Sequence, residues 1–468
     1  MVPFFPKQIS YRAIVVYLIA LAAVSVFFFS YAMKLGYMAL GLVCVLGFFL
    51  LSSSWSRDWR SISKEQFVKN LFLIAVAIRI VWVIASYYYY IQVTGRPFEL
   101  DTGDALGYHE EAQWLVEEGW SYTWDYYFRS AFRGISDVGY PLYLTVIYSI
   151  FGPNVIIPRI FKAFIGSYTC ILIYRLSART FEESTGRMAG IMAALMPNLI
   201  IYCGYHLKEI EMIFLSVAFL ERTDYLLRSR RITFGNILSA SLLAMSLFFF
   251  RTVLGAAAIF AFVSAILFSS TPSMKRGWKR TALIGWGILC LLIVSGGTVI
   301  TEIESYWEAK DENVANKRLD QTLAGNQWAQ YATGAVMAPM VFVLPFATMV
   351  DVDQQYAQQT KHGGNFVRNF MGFFAIMAVY EAFRRKKWRD FTLIGAFVIA
   401  YLGVVSLSGF SNSERFLLPG LPCLIMMWAY GISTLRRQTF KLLTPWCIVV
   451  VAMEFAWAFF KLGSRGLF

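Results

Sequence analysis

The sequence predicts an all-α, polytopic membrane protein. Of its 468 residues, 58% are hydrophobic and 15% are charged, and the mean hydropathy is +0.54. A soluble globular domain carries about 25% charged residues. Apolar runs long enough to cross a bilayer recur along the whole chain, and short basic segments separate them. These observations indicate a bundle of transmembrane helices with basic loops on one face.

About thirteen apolar runs predict thirteen transmembrane helices. They fall at 12–33, 35–52, 69–92, 157–180, 186–203, 208–227, 233–250, 252–270, 281–300, 368–384, 391–409, 416–434 and 443–461. Two further apolar stretches, 139–152 and 333–350, are ambiguous. The first run has no small-residue cleavage site, so no removable signal peptide is expected.

Charge resolves the two ambiguous stretches. If the N-terminus is inside and each of the thirteen runs crosses once, the basic clusters all fall on the inner side, as the positive-inside rule requires. A single crossing by 139–152 or 333–350 would move the later clusters outside. Both are therefore expected to lie along the outer surface or to dip in and return. Two large outer loops result, at 94–156 and 301–367.

Several classes of protein are excluded by the same pattern. The net charge of +13 comes from basic clusters between spans, so nucleic acid is not an expected partner. The six cysteines lie in apolar runs without paired or metal-type spacing. The inner connections are too short for a soluble nucleotide-binding domain, and no phosphate-binding glycine loop of the G-x-x-x-x-G-K-[ST] type occurs.

A carboxylate-rich segment begins the first outer loop. Asp101 and Asp104 are followed by Tyr108 and His109. Asp104 and Tyr108 are four residues apart, so on a helix they would share one face. Carboxylates near lipid are costly and are kept mostly for function. The alternative is a solvated loop in which Asp104 caps a helix.

Three cations recur at outer turns of later spans: Lys208, Arg251 and Arg415. Each could be an interfacial anchor or a ligand for an anionic headgroup. Arginine can hold phosphate with two parallel hydrogen bonds. A carboxylate that can act as a base, together with separated cations, suits group transfer from a lipid-linked phosphate. Between these segments, the Gly139–Gly152 stretch, which contains Tyr140, is expected to form a surface helix that walls an aqueous pocket.

The ordered set of motifs resembles the GT-C superfamily of integral-membrane glycosyltransferases, which use polyprenyl-phosphate sugars. This group includes the protein O-mannosyltransferases and the aminoarabinose transferases of lipid A. The resemblance covers about residues 67–434. It rests on Asp104-x-x-x-Tyr108, the Gly-Tyr-Pro-Leu-Tyr segment at 139–143, Arg159 with the span that follows, the Leu-Lys-Glu turn at 207–209, and Arg415-Phe-Leu-Leu-Pro.

The resemblance implies roles for these residues. Asp104 would be the catalytic base, with Asp101 supporting it, and Lys208 and Arg415 would contact the lipid phosphate. Where other members have Lys-Pro-Pro or His-Pro-Pro, this chain has Gly139-Tyr140-Pro141, so one cation is missing, for which Lys208 or Arg251 would have to compensate. The full predicted binding set is Lys208, Arg251, Arg415, Tyr108, His206, Glu209 and Tyr140. No cofactor is required, although Asp101 and Asp104 could hold a divalent cation.

The implied organisation has three parts: two additional spans and a basic loop at 1–66, the catalytic core at 67–434, and a last span at 435–468. The expected activity is inverting transfer of a sugar to a hydroxyl of an envelope glycan, lipid or protein, at the outer face of a bacterial cytoplasmic membrane. Two alternatives stay open. One is a polymerase or ligase of lipid-linked oligosaccharides, and the other is a non-enzymatic transporter or flippase of polyprenyl-linked sugars.

Overall fold

A computed structural model of the chain describes residues 3–100, 103–133, 137–229, 233–268, 281, 285, 340, 342–352, 356–407, 414–463 and 466–467, without the side chains of 127–133. Within these residues the regular structure is helical, apart from an isolated bridge between Ala32 and Val350. The all-α prediction is confirmed for this part of the chain.

The helices follow the apolar runs and the loops between them. They are α1 Lys7–Phe27, α2 Leu35–Asp58, α3 Lys64–Thr94, α4 Gly103–Glu118, α5 Trp120–Arg133, α6 Gly139–Phe151, α7 Ile156–Thr180, α8 Glu183–Leu195, α9 Pro197–Ile201, α10 Glu209–Arg228, α11 Phe234–Phe250, α12 Thr252–Phe268, α13 Tyr356–Gln359, α14 His362–Arg384, α15 Thr392–Leu407, α16 Glu414–Leu417, α17 Leu421–Ser433, α18 Arg437–Lys441 and α19 Leu443–Gly463.

Local sequence signals set several helix ends. Ser63 caps α3, because its hydroxyl accepts a hydrogen bond from the Gln66 N–H at 3.2 Å. The same helix ends at Gly95, whose φ of 72° is the left-handed conformation that glycine adopts without strain. Gly152 ends α6 with φ 75° and ψ 171°, an extended conformation of positive φ that only glycine adopts readily. Gly95 and Gly152 therefore lie where the first long loop leaves the bundle and where it returns to it.

Seven helices in the described part of the chain are long and apolar enough to cross a membrane, or eight if a bent pair counts as one span. The seven are Lys7–Phe27, Leu35–Asp58, Lys64–Thr94, Ile156–Thr180, His362–Arg384, Glu414–Ser433 and Arg437–Gly463. The chain is therefore a helical, multi-pass membrane protein.

The predicted number of thirteen spans is wrong for the part of the chain that is described. Helix α11 has 17 residues, about 25 Å at 1.5 Å per residue, which is shorter than a hydrocarbon core of about 30 Å. The described residues of α12 and α15 number 17 and 16, and the residues that follow, from 269 and from 408, lie outside the described part of the chain. Helix α10 is long enough but carries six charged residues. The run at 281–300 lies outside the described residues, except for 281 and 285. An apolar window in the sequence does not distinguish these short or charged helices from full spans.

The bent pair consists of Glu183–Leu195 and Pro197–Gly204, which meet at 52°. Pro197 has no N–H to bond the Ala193 carbonyl, so the helix breaks there. Arg79, fully buried on α3, donates to the carbonyls of Ala193 and Ala194, each at 3.2 Å. A side chain from another helix thus supplies the donor that the proline removes.

Most buried apolar side chains form one continuous hydrophobic core, and Phe248 and Ile259 form a second, small cluster. Helix α7 packs against α3, α8 and α10, α12 packs against α15, and α14 packs against α17. The first two helices join the same body, since α2 contacts both α8 and α14, and α1 contacts α19. The two N-terminal helices, which were predicted to be additional to the core, thus pack directly against it.

Basic loops meet at one end of this bundle, which we call the basic end. Ion pairs there link Lys64 with Glu183 (3.3 Å), Arg179 with Glu221 (2.7 Å), Arg228 with Asp224 (2.8 Å) and Arg385 with Glu381 (2.8 Å). A cavity of about 290 Å³ brings residues from 179–185, 382–391 and 430–433 together at this end. The described residues of the basic loops thus lie together at one end of the bundle, as the sequence predicted.

The two ambiguous stretches are not among the candidate spans. Residues 139–151 form α6, a helix of 13 residues that packs on α4. Of 333–350, residues 340 and 342–350 are described, and they are irregular apart from a helical turn at 340 and the bridge at Val350. Most of the predicted outer loop at 301–367 lies outside the described residues.

Candidate functional site

The N-terminal turn of α4 carries the predicted base. Asp104 lies in that first turn, and 60% of its side chain is exposed. Tyr108 follows four residues later on the same helix, so the predicted shared face of these two residues is confirmed. Asp101, the other predicted carboxylate, lies outside the described residues, and so does the cation site predicted between it and Asp104. No group of three metal-ligating side chains occurs among the described residues.

Arg415 joins three distant elements. Its Nη1 forms an ion pair with Asp104 Oδ2 on α4, and its Nε forms one with Glu209 Oε1 at the start of α10. Glu209 is fully buried, and its second oxygen meets no hydrogen-bond donor among the described residues. Its position in the first turn of α10 is favourable for a negative charge. Three residues predicted separately thus form one charged cluster.

Lys208 lies beside this cluster. It is 1% exposed, and its Nζ donates to the Phe250 carbonyl at 3.2 Å and contacts the Asp137 carboxylate. The same Nζ lies 5.8 Å from the ring centre of Tyr108, within the range of a cation–π contact. Asp137, which was not predicted as a site residue, brings a third carboxylate to the cluster.

The environment of Lys208 lowers the pKa of its ammonium from 10.5 to about 7. Burial is the largest cause, because removal from water penalises the charged form. The positive charges of Arg251 and Arg415 lower the pKa further, while the carboxylates of Glu209 and Asp104 oppose them. These effects indicate that all five groups interact electrostatically.

Arg251 completes the group of three predicted cations. It follows α11 directly and is 7% exposed. Its Cζ lies 4.5 Å from the ring centre of Phe416, the neighbour of Arg415. Its Nε and Nη1 meet no hydrogen-bond acceptor among the described residues. Leaving buried guanidinium donors unpaired is costly, and these donors could bind an anionic group.

Tyr140 forms the wall behind Tyr108. It is fully buried, and the two rings pack edge to face with centroids 5.1 Å apart. Its hydroxyl accepts a hydrogen bond from Lys162 Nζ at 3.3 Å. Lys162 also donates to the carbonyls of Tyr205 (2.9 Å) and Leu207. This lysine was missed in the sequence, yet it fixes the turn that presents Lys208 and Glu209.

His206 belongs to a neighbouring hydrogen-bond chain. Its Nε2 lies 3.2 Å from the Tyr148 hydroxyl, which lies 2.7 Å from His109 Nδ1. The backbone N–H of His206 donates to the Glu99 carboxylate at 3.1 Å, and Glu99 forms an ion pair with Arg159 at 3.4 Å. Burial lowers the pKa values of both histidines and raises that of Glu99, whose charge Arg159 and the His206 N–H help to retain. These contacts tie His206 to the wall rather than to the three cations.

A cavity of about 500 Å³ opens beside this chain. His109 lines it together with Tyr87, Pro97, Phe98, Phe151, Gly152, Pro153, Asn154 and Val155. Phe151 is the one residue of α6 that lines this cavity, whereas Tyr140 packs against Tyr108 and Lys162.

A second polar cluster adjoins Arg415 through its neighbour. Glu414 pairs with Lys361 at 3.3 Å and accepts a hydrogen bond from Asn198, which also donates to Asn365 at 2.9 Å. Lys361 lies 5.3 Å from the ring centre of Tyr202. None of these residues was predicted. The adjacency of Glu414 to Arg415 is the only signal in the sequence that could have drawn attention to them.

The cluster of Asp104, Lys208, Glu209, Arg251 and Arg415, which we call the charged site, lies at the end of the bundle where α4, α10, α11 and α16 meet. It contains an exposed carboxylate that can accept a proton and cations that can hold an anion. The arrangement therefore offers both groups needed to deprotonate a nucleophile and to stabilise an anionic leaving group.

No protein-family model matches this sequence, and no curated protein matches it. The resemblance based on ordered motifs therefore has no independent support from these comparisons. The multi-pass helical architecture and the charged site stand on the structure alone.

Proposed function

We propose that this protein is an inverting glycosyltransferase that moves a sugar from a polyprenyl phosphate to an acceptor hydroxyl. The observation that supports the proposal is the ion pair between Asp104 and Arg415, which brings a carboxylate and a guanidinium together in the charged site. The acceptor would be an envelope glycan, lipid or protein, and the site would face the outside of a bacterial cytoplasmic membrane.

In the reaction, Asp104 accepts the proton of the acceptor hydroxyl. The resulting oxygen attacks the anomeric carbon of the sugar from the side opposite the phosphate. The bond between that carbon and the phosphate oxygen breaks, and its electrons leave with the polyprenyl phosphate. The products are the glycosylated acceptor and a polyprenyl phosphate with one more negative charge, so cations near the leaving oxygen stabilise the transition state.

Donor binding changes the partners of Arg415. A phosphate that bonds the Nη1 of Arg415 competes with Asp104 for the same donor. Displacement of Asp104 would free its carboxylate for the acceptor hydroxyl only when a donor is bound. Arg251 supports the same step, because its Nε and Nη1 are unused by the described residues.

The test is sugar transfer and donor binding by purified variants in lipid. Asp104→Asn removes the base and the competing charge. We expect transfer to fall at least about 100-fold, the effect of removing a general base, while donor affinity stays equal or increases. Glu117→Gln is the matched control, because Glu117 is an exposed acid on the same helix. Wild-type transfer rates in Asp104→Asn would exclude Asp104 as the base.

The polymerase or ligase alternative shares this chemistry and differs in product size. It predicts that the transferred unit is an oligosaccharide, so mass analysis of the product with mono- and oligosaccharide donors separates the two activities.

A transporter of polyprenyl-linked sugar is favoured by a different observation. The broken span at Pro197 and the buried charges of Arg79 and Arg368 within spans are features found in transporters. Reconstitution into vesicles with labelled donor on one side distinguishes this function. Movement of intact donor across the bilayer, without sugar transfer and unaffected by Asp104→Asn, would replace the enzymatic proposal.

A further inference from the structure

A groove of about 710 Å³ lies between α3 and α7 at the basic end, away from the charged site. Lys64, Lys69 and Arg175 line it, together with apolar side chains from both helices. Helix α3 enters the bundle at Lys64, and α7 leaves it near Arg175. The cations therefore mark the membrane-boundary end of the groove.

The mouth of the groove carries a net positive charge. Lys64 pairs with Glu183 at 3.3 Å, and Glu183 also pairs with Arg187 at 2.9 Å, so one carboxylate serves two cations. Lys69 and Arg175 form no ion pair within the described part of the chain, and Glu65 is the one acid that lines the groove. The net positive charge at the mouth favours an anionic headgroup.

The interior of the groove is apolar. Val68 and Phe72 on α3 and Tyr168 and Ile171 on α7 line it. Phe72 lies three residues beyond Lys69, about 4.5 Å along α3, and Tyr168 lies seven residues before Arg175, about 10 Å along α7. Tyr168 is 41% exposed, although it lies within a candidate span. An exposed apolar groove at this depth faces hydrocarbon chains.

The floor of the groove is closed. The rings of Phe67 and Tyr174 pack with centroids 4.9 Å apart. Helix α8 lies beneath them, and a Cβ on its Gly190 would come within 3.1 Å of both Leu71 and Tyr174. The groove is therefore a recess in the surface of the bundle and does not lead into the charged site.

We infer that this groove binds an anionic phospholipid. The phosphate contacts Lys69 and Arg175, and one acyl chain lies along Val68, Phe72 and Ile171. Basic pockets between helices at the membrane boundary recognise anionic headgroups, and arginine holds phosphate with paired donors. The bound lipid bridges α3 and α7. This site is independent of the glycosyltransferase proposal, because it lies at the other end of the bundle.

Native mass spectrometry of the full chain in detergent tests the inference. The protein is titrated with phosphatidylglycerol or with phosphatidylcholine of the same acyl chains. We expect about tenfold preference for phosphatidylglycerol, since each lysine or arginine near an anionic headgroup contributes substantially to binding. In Lys69→Gln/Arg175→Gln the preference should fall below about twofold. Val68→Trp, which fills the groove without changing charge, should weaken binding of both lipids.

The control is Arg437→Gln/Lys441→Gln, a matched arginine and lysine that are exposed at the basic end on α18. It should keep the wild-type preference. Equal loss in this control, or no preference in the wild type, would overturn the inference and indicate general attraction to a basic surface. A third arm adds glycerophosphoglycerol, which has no acyl chains. If it displaced the lipid at similar concentration, the groove would hold a headgroup alone and the acyl-chain contact would be wrong.

Discussion

Arg415 and Asp104 are 311 positions apart in the sequence and form a direct ion pair in the folded chain. Arg415 also binds the buried Glu209, so its guanidinium is held between an exposed carboxylate and a buried one. The buried partner fixes the position of the guanidinium. The exposed partner is the one that a ligand can replace.

The first prediction concerns the planar shape of Arg415. Arg415→Lys keeps the charge but loses the fork of donors that reaches two carboxylates at once. We expect Arg415→Lys to bind the polyprenyl-phosphate sugar more weakly than the wild type, and Arg415→Ala to lose about 2–4 kcal/mol of transition-state stabilisation. Donor titration and transfer rates by purified protein measure both effects.

Arg12 provides the control for this prediction. It is a partly buried arginine that contacts Thr444 and Phe440, away from the charged site. Arg12→Lys should leave donor binding unchanged. If Arg415→Lys also retained full affinity and activity, Arg415 would be an interfacial anchor.

The second prediction is a pH dependence set by Lys208. Its pKa of about 7 means that the ammonium is charged below pH 7 and neutral above it. A phosphodiester donor keeps the same charge across this range. Donor affinity should therefore fall as the pH rises through 7, and Lys208→Gln should remove this dependence. The lowered pKa values of His109 and His206 put their titration at lower pH.

The same group affects stability with the opposite sign. In the unfolded chain Lys208 has its ordinary pKa of 10.5, so between pH 7 and 10.5 the unfolded state binds more protons than the folded state. The free energy of unfolding should rise with pH through this window, and Lys208→Gln should reduce the rise. An unchanged pH profile for donor binding in Lys208→Gln would assign the dependence to another group.

The third prediction concerns the break at Pro197. Arg79→Met leaves the Ala193 and Ala194 carbonyls without their donor, which should cost about 1–3 kcal/mol for each carbonyl left unsatisfied. Thermal unfolding in detergent should show a lower Tm. Pro197→Ala restores an N–H that can bond Ala193, so Arg79→Met/Pro197→Ala should recover part of the loss.

Additive effects of the two substitutions would contradict this explanation, because it requires the alanine to replace the bond that Arg79 made. Arg437→Met, at an exposed position, should leave the Tm unchanged and serves as the control for loss of an arginine.

The fourth prediction concerns orientation. In a background without reactive cysteines, Glu117→Cys should react with an impermeant thiol reagent added outside intact cells, and Lys441→Cys should react only after permeabilisation. These two positions are exposed, on α4 near the charged site and on α18 at the basic end. Outside labelling of Lys441→Cys would place the basic end outside and would reverse the predicted topology.

Periodicity and composition were enough to predict the helices and part of the charged site. Asp104 and Tyr108 share a helix face because their spacing of four follows helical geometry. Lys208 and Glu209 were found because charges at the end of an apolar run are conspicuous. The number of spans was not predictable in the same way, because α11 is apolar but only 17 residues long, and α10 is long enough but carries six charged residues.

The supporting residues were missed because long-range pairing leaves no local signal. Lys162 lies within an apolar helix, and its partners Tyr140 and Leu207 are 22 and 45 positions away. Glu99 lies in the predicted outer loop at 94–156, yet it is buried against Arg159. The sequence alone does not distinguish a charged residue that is buried with a partner from one that is exposed to solvent.

Tyr148 has a single hydroxyl proton and lies between two imidazoles. If it donates to His206, it must accept from His109, and if it donates to His109, it must accept from His206. The tautomers of the two rings are therefore not independent. If Tyr148 donates to His109, a proton gained by His109 Nδ1 at the cavity wall would reverse the direction of both bonds. The buried imidazole of His206 would then change its hydrogen-bonding role in response to protonation at the cavity, without any movement of the backbone.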